Sequence, residues 1–389
     1  MIYYEQILTR LRQQSLFREL RSIEEIQGPV VKVGDRAVVN FASNDYLGLS
    51  QHPSVKAAAK TAIDRYGVGA GASRLVSGSQ FPHKKFEEDI AAFKGTESAL
   101  LFSTGYAAAI GTICSLVGRG DVIILDNLAH ACLIDGAKLS GAFLRVFPHN
   151  NITKLKGHLN WAQRTHPQGR ILIATESVFS MDGDLGDLAA IVELKNQFRA
   201  LLFVDEAHAT GIIGPQGAGL VNALGLKQQI DVQMGTLSKA FGVSGGFICG
   251  SRTLIQLLVN RARSFIYSTA LPSPCAAAAS AALQILRSEE GDGLRSLLWN
   301  NVFFLAKSLG TMPRKNPEPN SAIFPVVIGD EAKAVRLAEN LLEHGFLVPA
   351  IRYPTVARGA ARIRVAMSSS HKPEQIDALS RAITASCPP

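Results

Sequence analysis

The chain has 389 residues, 47% of them hydrophobic and 19% charged, with a formal net charge of +8 at pH 7. This length exceeds the usual size of a single hydrophobic core, so we expect a globular chain with two packed domains. The basic residues are spread along the chain without interleaved aromatic residues, which argues against nucleic acid as a partner.

Apolar stretches and cysteines bear on cellular location. The longest apolar stretches, residues 106–117 and 275–286, are shorter than the roughly 20 residues that span a bilayer, and the N-terminus lacks the pattern of a signal peptide. The cysteines show neither paired nor metal-ligand spacing: Cys114, Cys132, Cys249, Cys275 and Cys387. We therefore expect a cytoplasmic protein with reduced thiols, no membrane partner and no metal site.

The first predicted element is an N-terminal helix over residues 3–20. Its apolar residues recur at roughly helical spacing and predict one buried stripe: Ile7, Leu8, Leu11, Phe17 and Leu20. Arg21 follows directly, and the sequence alone favours a cation at the carboxyl end of this helix.

Residues 30–41 predict a β-hairpin, because two alternating strands flank the turn pair Gly34-Asp35. The segment 43–49 follows, and ordinary turn chemistry is enough to explain Asn44-Asp45. On its own, Asn44 therefore needs no functional role.

A glycine-rich loop at residues 67–78 follows a helix that runs from His52-Pro53 to about Tyr66. A dinucleotide-binding loop should instead follow a strand, open a helix and carry a final glycine at fixed spacing. The loop therefore argues against a dehydrogenase. A further helix at residues 82–94 has proline in its first turn and Gly95 at its end.

From residue 99 the chain alternates apolar runs with helical patterns. The runs lie at 99–102, 122–125, 144–147, 171–175 and 201–204. This alternation indicates an α/β fold in which helices cover both faces of a parallel sheet. Ligands of such sheets bind at the carboxyl ends of the strands, so polar residues that follow a strand are site candidates.

Three strand ends carry such candidates. Gly105 and Tyr106 lie at the start of a helix, where free N–H groups and the helix dipole suit a phosphate. His130 follows the second run, where a lone histidine is usually a helix cap or a core residue. Asp205 and His208 follow the run at 201–204, and Asp205 could equally cap the next helix.

Lys239 lies in a turn of small hydroxyl and glycine residues at 235–246, between apolar segments. Thr236 and Ser238 offer hydroxyls to an anion, and partial burial would lower the pKa of the amine, as a Schiff-base lysine requires. An exposed loop lysine explains this stretch equally well. Pyridoxal phosphate needs a lysine, an acid facing its ring nitrogen and a phosphate cup, and Lys239 with Asp205 supplies two of the three.

Near residue 289 the pattern changes to a smaller α+β unit. It predicts helices near 294–310, at 331–344 and from Pro373, and strands at 322–327, 346–351 and 361–366. We expect residues 1–45 to pack with this small domain (289–389), and residues 46–288 to form the large one. Arg362 and Arg364 share one face of a strand, which suits either a carboxylate clamp or cross-strand surface pairs.

Two motifs together identify the family. Residues 204–214 (Val-Asp-Glu-Ala-His-Ala-Thr-Gly-Ile-Ile-Gly) and 236–242 (Thr-Leu-Ser-Lys-Ala-Phe-Gly) resemble the α-oxoamine synthases, which condense an amino acid with an acyl thioester. The resemblance runs from Arg21 to the C-terminal helix. It implies the fold-type-I transferase architecture, a mostly parallel sheet flanked by helices plus a smaller α+β domain, with pyridoxal 5'-phosphate as cofactor.

The resemblance also assigns residues to the cofactor. Lys239 would bind its aldehyde and later take the substrate proton, Asp205 would face the ring nitrogen, and His208 its phenolic oxygen. His130 would stack on the ring. The remaining implied contacts are Gly105, Tyr106, Ser180, Thr236, Ser268 and Thr269, whereas Asp182-Gly183 is better explained by turn chemistry.

For the substrates, the resemblance places the amino-acid carboxylate at Asn44 and Arg364, and the acyl chain near Thr355 and Arg21, at the channel mouth. Tyr267-Ser268-Thr269 is closest to the biotin-pathway branch, which joins L-alanine to pimeloyl-CoA or pimeloyl-acyl-carrier protein with loss of CO2. Tyr353-Pro354 departs from the family's usual Pro-Pro and weakens the transfer of acyl specificity. Residues 267–269 reach the partner subunit in this fold, which implies a homodimer with shared active sites.

Two alternatives stay open. One is a sibling synthase that uses glycine or serine with another acyl-CoA. The other is a non-catalytic subunit of the same fold, although such subunits typically lack the cofactor lysine, which is present here as Lys239.

Overall fold

The computed structural model describes residues 2–310 and 319–386, so that Cys387 lies outside the described residues. The other four cysteines are free thiols. No helix within these two ranges is long and apolar enough to cross a membrane.

Strands and helices alternate through most of the chain. The strands are β1 (Glu25–Gln27), β2 (Val30–Val33), β3 (Arg36–Asn40), β4 (Ser98–Phe102), β5 (Val122–Asp126), β6 (Phe143–Phe147), β7 (Ile171–Glu176), β8 (Leu201–Asp205), β9 (Val232–Thr236), β10 (Gly246–Gly250), β11 (Ile323–Gly329), β12 (Phe346–Leu347), β13 (Ala350–Ile351) and β14 (Ala361–Ala366). The helices are α1 (Ile2–Gln13), α2 (Pro53–Tyr66), α3 (Phe81–Lys94), α4 (Gly105–Leu116), α5 (Ala131–Ser140), α6 (Ile152–Thr165), α7 (Leu188–Phe198), α8 (Leu220–Ala223), α9 (Arg252–Arg261), α10 (Arg263–Ile266), α11 (Ser273–Leu286), α12 (Glu289–Ser308), α13 (Glu331–Glu343) and α14 (Pro373–Ser386).

Two units make up the fold. The large unit comprises Leu49–Phe179 and Leu185–Gly293, and the small unit comprises Met1–Gly48, Ser180–Asp184 and Leu294–Pro389. The division into folding domains at residues 45 and 288 stays a prediction.

The large unit is built on a seven-stranded sheet in the order β4-β10-β9-β8-β7-β5-β6. Only β10 runs antiparallel to its neighbours in this sheet. Every residue of β5, β7 and β9 is buried, as expected when helices cover both faces of a parallel sheet. The predicted α/β fold is therefore confirmed.

The small unit contains two further sheets. One has the order β1-β2-β3-β12 and includes the predicted hairpin, with Gly34 in the left-handed region at φ 57°. The other has the order β11-β14-β13 and carries the arginine strand β14. Residues 346–351 were predicted as one strand but form β12 and β13 in different sheets. Pro349 between them lacks the N–H that a continuous ladder requires.

The N-terminal segment also differs from its prediction. Helix α1 ends at Gln13, and Ser15 has a positive φ of 55°, so the helix predicted as far as Leu20 is wrong in its second half. Ile7 and Leu8 are exposed, so the predicted buried stripe is wrong as well. Arg21 consequently lies in an exposed loop and not at a helix end, which removes the helix-dipole explanation.

Candidate active site

Three carboxylates lie at the carboxyl ends of neighbouring parallel strands. Asp126 ends β5, Glu176 ends β7 and Asp205 ends β8, and all three are buried. Glu176 and Asp205 are directly paired in the strand register, so their side chains share one face of the sheet. Buried acids at this edge need hydrogen bonds or a cation to remain charged.

Each of these acids has a specific partner. Asp205 Oδ1 accepts the N–H of Ala207 at 2.8 Å, and Glu176 Oε1 accepts the N–H of His130. Asp126 Oδ2 accepts a hydrogen bond from the N–H of Asn150 at 3.0 Å and lies 3.1 Å from His149 Nδ1. The last strand residues therefore fix the loops that follow the strands. Glu176 and Asp126 received no role from the sequence.

The pKa values of Asp205 and Glu176 indicate that this edge of the sheet accepts a cationic group. Burial raises the pKa of Asp205, while the charge of Lys239 opposes that rise. Burial and the nearby charge of Asp205 raise the pKa of Glu176 well above its ordinary value. When Asp205 is ionised, ionisation of the adjacent Glu176 is therefore disfavoured. A cationic group opposite Asp205 would stabilise its ionised form.

Lys239 lies in the loop between β9 and β10. Three backbone bonds close this loop: Leu237 N donates to the Gly245 carbonyl (3.0 Å), Val243 N to the Leu237 carbonyl (2.9 Å) and Gly242 N to the Lys239 carbonyl (2.9 Å). Gly242 has φ 68°, and a Cβ there would lie 2.2 Å from the backbone of Ser50, so no side chain fits. Lys239 is half-buried, and its charge acts on Asp205, Glu176 and His130. The predicted lysine and acid therefore belong to one electrostatic cluster.

The two predicted histidines occupy different settings. His130 caps α5, with Nδ1 accepting the N–H of Cys132 at 3.3 Å, so this histidine does serve as a helix cap. Although His130 is exposed overall, partial removal of the side chain from water lowers its pKa; the charge of Asp205 opposes this shift and the charge of Lys239 adds to it. His208 is buried in the turn after β8.

The start of α4 fits a phosphate. Thr104 caps the helix by accepting the N–H of Ala107 at 3.0 Å, and no described residue accepts the N–H of Gly105 or Tyr106. A Cβ on Gly105 would lie 3.4 Å from Thr236 Cβ, so the Gly105 backbone lies close to Thr236. Because glycine has no side chain, its N–H is uncovered beside the Thr236 hydroxyl. Thr236 Oγ1 also bonds Ser238 Oγ at 2.8 Å. Bare N–H groups, a helix N-terminus and two hydroxyls together suit the phosphate of pyridoxal phosphate.

Tyr106 and residues 267–269 lie partly on the surface. The Tyr106 hydroxyl donates to Asp135, and its ring is exposed. Tyr267 is 72% exposed, and Thr269 forms an isolated bridge with Ser73 of the glycine-rich loop. The structure thus brings the segment 267–269 together with that loop.

A separate cluster in the small unit surrounds Arg364, which is 5% exposed. Its Nε donates to the carbonyl oxygen of Ser180 at 2.7 Å, and both Nη atoms donate to Asn44 Oδ1 at 3.2 Å. Tyr46 adjoins the same guanidinium; burial raises its pKa and Arg364 lowers it. No acid within residues 2–310 and 319–386 forms an ion pair with Arg364. A buried guanidinium held by neutral oxygens alone is suited to an incoming carboxylate.

Arg362, two residues earlier on β14, has a different environment. Its Nη1 donates to Asp182 Oδ1 at 2.7 Å and to the Met181 carbonyl at 3.2 Å. Asp182 thus neutralises Arg362, a contact that the turn interpretation did not include. Asp182 lies in a turn, and Gly183 directly after it has φ 72° and no room for a Cβ beside the Ile323 carbonyl.

Arg21 and Thr355 are exposed, and no described hydrogen bond joins either to Arg364. Four other arginines that the sequence did not single out contact Phe17 or Tyr353. Arg18 donates to the Tyr353 carbonyl at 3.1 Å, and Arg358 lies 4.4 Å above the Tyr353 ring. Arg12 stacks on Phe17 at 4.2 Å, and Arg352 donates to the Phe17 carbonyl at 3.3 Å. We call Arg12, Arg18, Arg352 and Arg358 the arginine patch.

Comparison with known proteins agrees with this geometry. The family model described as aminotransferase class I and II matches residues 36–383. The 8-amino-7-oxononanoate synthase of Anaeromyxobacter dehalogenans is 46% identical over 381 residues, covering 98% of this chain and 94% of that protein. A serine palmitoyltransferase from S. paucimobilis, solved with PLP and myriocin bound, has a TM-score of 0.92 at 29% identity, over 99% of this chain and 96% of that one. A Francisella tularensis 8-amino-7-oxononanoate synthase has a TM-score of 0.75 at 28% identity, over 90% and 98%.

Proposed function

This chain belongs to the aminotransferase class I and II family, and we propose that it condenses L-alanine with a pimeloyl thioester to give 8-amino-7-oxononanoate, free thiol and CO2. The reaction is a step of biotin biosynthesis, and the cofactor is pyridoxal phosphate. The relatives named for this activity are 42–46% identical over nearly the whole chain, which favours this branch over others in the family.

The observation that carries the proposal is the environment of Arg364. A buried guanidinium without an acid partner is costly unless a ligand supplies the anion. Arg364 and Asn44 hold the carboxylate of alanine in this proposal. Arg364 Nε donates to the Ser180 carbonyl at 2.7 Å and so fixes the orientation of the guanidinium. In this orientation the two Nη atoms can donate parallel hydrogen bonds to the substrate carboxylate.

The residues of the large unit serve the cofactor and the proton. Gly105, Tyr106 and Thr236 would hold its phosphate, and Asp205 would keep a proton on its ring nitrogen. Pyridoxal phosphate, when bound, accepts the electrons left on the amino-acid Cα after a proton leaves. Lys239 Nζ would be the base that takes this Cα proton, since it is an amine in the same electrostatic cluster as Asp205, the acid assigned to the ring nitrogen.

The two histidines have supporting roles in this scheme. His208 would donate a hydrogen bond to the phenolic oxygen of the cofactor. His130 would stack on the ring, and its lowered pKa keeps the imidazole neutral at pH 7, so that no second cation lies against the ring.

The acyl donor would approach through the small unit, past Thr355 and Arg21. CoA and the prosthetic group of an acyl-carrier protein both carry phosphopantetheine phosphate. The arginine patch offers guanidinium groups in the segment 352–358 that also contains Thr355, which suits this anion. Activity should therefore fall as salt rises, for either carrier.

The protein would act as a homodimer whose subunits share active sites. Large apolar side chains are exposed around the glycine-rich loop, namely Leu75, Val76, Phe81 and Tyr267. Since Thr269 is bridged to Ser73, these residues belong to one surface region, and such apolar regions mark protein interfaces. Tyr267, Ser268 and Thr269 would reach the site of the other subunit.

A second candidate is a sibling synthase that uses serine and a long acyl-CoA. It is favoured by the higher TM-score to serine palmitoyltransferase, 0.92 against 0.75 for the Francisella tularensis 8-amino-7-oxononanoate synthase. Similar backbones host different substrates, so sequence identity weighs more in this choice.

A thiol-release assay separates the candidates. Alanine, glycine and serine are paired with pimeloyl-, acetyl-, succinyl- and palmitoyl-CoA and with pimeloyl-carrier protein. We expect the highest kcat/KM for alanine with a pimeloyl donor, and weak glycine turnover, because one methyl group is worth about 1–3 kcal/mol of discrimination. Highest efficiency with serine and palmitoyl-CoA would transfer the protein to the sibling branch.

A further inference from the structure

A fully buried ion pair lies directly behind the Asp205–His208 turn. Lys94 is the last residue of α3, and Glu206 is the first residue after β8. Both side chains are 0% exposed, and Lys94 Nζ donates to Glu206 Oε2. Neither residue contributes to the reaction proposed above, and the family motif containing Glu206 gave it no role.

The charged groups of this pair also bind two other segments. Lys94 Nζ donates to the Ala218 carbonyl at 2.6 Å, and Thr210 Oγ1 lies 3.4 Å away. Glu206 Oε1 accepts the N–H of Val221 at 2.9 Å. The pair therefore joins the end of α3, the turn after β8 and the start of α8.

The backbone of Glu206 is held as firmly as its side chain. Its N–H donates to the Met234 carbonyl on β9 at 2.9 Å, and its own carbonyl accepts the N–H groups of Ala209 and Thr210 at 3.0 and 2.9 Å. Asp205 precedes this anchor in the chain, and His208 lies within the turn that it closes. A shift of the Glu206 side chain would therefore move both residues assigned to the cofactor.

Gly219 shows how little freedom the carboxylate has. Its φ is 108°, and a Cβ there would lie 2.5 Å from Glu206 Oε2. Only glycine meets both the backbone and the space requirement at this position. The packing thus encloses the Glu206 carboxylate in one orientation.

Stability alone does not account for such a pair. The attraction between two buried charges is largely offset by the cost of removing both from water, and an apolar pair of similar volume often supports folding equally well. We propose that Lys94 and Glu206 are positioning residues that hold Asp205 and His208 in the conformation that binds pyridoxal phosphate. This inference rests on the proposed function for the roles of Asp205 and His208.

The test compares K94M, E206Q and the double variant K94M/E206Q. Each single change leaves one buried charge without its partner and should lower the melting temperature. The double variant has no charge at either position of the pair, and the amide oxygen introduced by E206Q can still accept the Val221 N–H, so its melting temperature should recover to near that of the wild type. A double variant that fails to fold, or melts as low as the single variants, overturns the proposal, because the pair would then serve the fold itself.

Function is then measured on the double variant. Apoprotein is titrated with pyridoxal phosphate by absorbance, and the pH dependence of kcat/KM is recorded with alanine and pimeloyl-CoA. Displacing a binding group by about 1 Å can cost up to roughly a hundredfold, so we expect at least a tenfold weaker cofactor Kd and a shifted pH profile. Wild-type cofactor affinity together with a wild-type pH profile would overturn the proposal.

A matched control lies at the opposite end of the same strand. Lys195 pairs with Asp231 at 3.2 Å, and Asp231 Oδ2 accepts the N–H of Leu202 on β8 at 2.8 Å. K195M/D231N removes a partly exposed pair, with side chains 16% and 32% exposed, at the far end of β8 from Asp205 and should leave cofactor affinity unchanged. If the wild type proves inactive with alanine, the proposed function fails, but the cofactor titration still decides whether the Lys94–Glu206 pair positions the site.

Discussion

Replacing Arg364 by methionine tests the carboxylate site most directly. The substitution removes the guanidinium that donates to Asn44 and Ser180 and, in our proposal, to alanine. A hydrogen bond to a charged group contributes about 1.5–3 kcal/mol. Two such bonds to the carboxylate amount to about 3 kcal/mol at the lower bound, which corresponds to roughly a hundredfold increase in the KM for alanine.

The fold should tolerate this change. R364M removes a buried charge that has no acid partner in the described chain, so the loss of its neutral hydrogen bonds is partly offset. We expect a melting temperature within a few degrees of the wild type and an unchanged KM for the acyl donor. R364K retains the charge but loses the planar fork, and its alanine KM should rise by about tenfold.

Arg362 provides the matched control on the same strand. R362M removes the guanidinium that donates to the largely enclosed Asp182 carboxylate, so the melting temperature should fall by several degrees. Its alanine KM should stay near that of the wild type. The assay is steady-state thiol release at varied alanine, with scanning calorimetry on each variant. An R364M enzyme with a normal alanine KM, or an R362M enzyme with the larger KM increase, would refute the assignment.

Three further predictions concern other parts of the molecule. Lys239→Ala should abolish turnover and remove the borohydride-stable link between cofactor and protein seen by mass spectrometry; turnover at the wild-type rate would exclude Lys239 as the base. Mixing inactive Lys239→Ala subunits with inactive Thr269 variants should restore some activity if sites are shared, and no recovery despite proven subunit exchange would contradict sharing. The pKa of His371 is lowered to about 4 by burial, so the free energy of unfolding should decrease by about 3 kcal/mol as pH falls from about 6.5 to 4. His371→Asn should flatten that part of the urea-denaturation profile, and an unchanged slope would exclude this histidine as its source.

The pattern of the chain determined the large unit well, because local signals and tertiary structure agree there. Most strands of the central sheet are short apolar runs, and helices with identifiable caps separate many of them, as with Thr104 before α4 and Gly141 after α5. Asp205 and His208 could be found because parallel sheets bind their ligands where the strands end. Lys239 could be found because small hydroxyl and glycine residues surround it. The resemblance then assigned their roles.

The N-terminal segment shows where periodicity fails. Ile7 and Leu8 recur at helical spacing, but spacing cannot indicate whether a chain supplies a partner surface for an apolar face. Both side chains are exposed in the described structure, so apolar periodicity alone does not show that a helix face is buried. Pro349 likewise divides residues 346–351, which resemble one strand in the sequence. The two halves pair with different strands, β3 and β14, and the sequence does not show this pairing.

Contacts between residues far apart in sequence were decided by tertiary structure alone. Arg362 and Arg364 share one face of the strand and look equivalent in the sequence. Asp182 neutralises Arg362, whereas Arg364 contacts the neutral oxygens of Asn44 and Ser180 and so can bind a carboxylate. Lys94 and Glu206 each resemble ordinary surface charges, and only the folded chain buries them together. A sequence specifies which groups are present and their local spacing; the energy of a charge depends on its distance to partners and to water, and folding sets both.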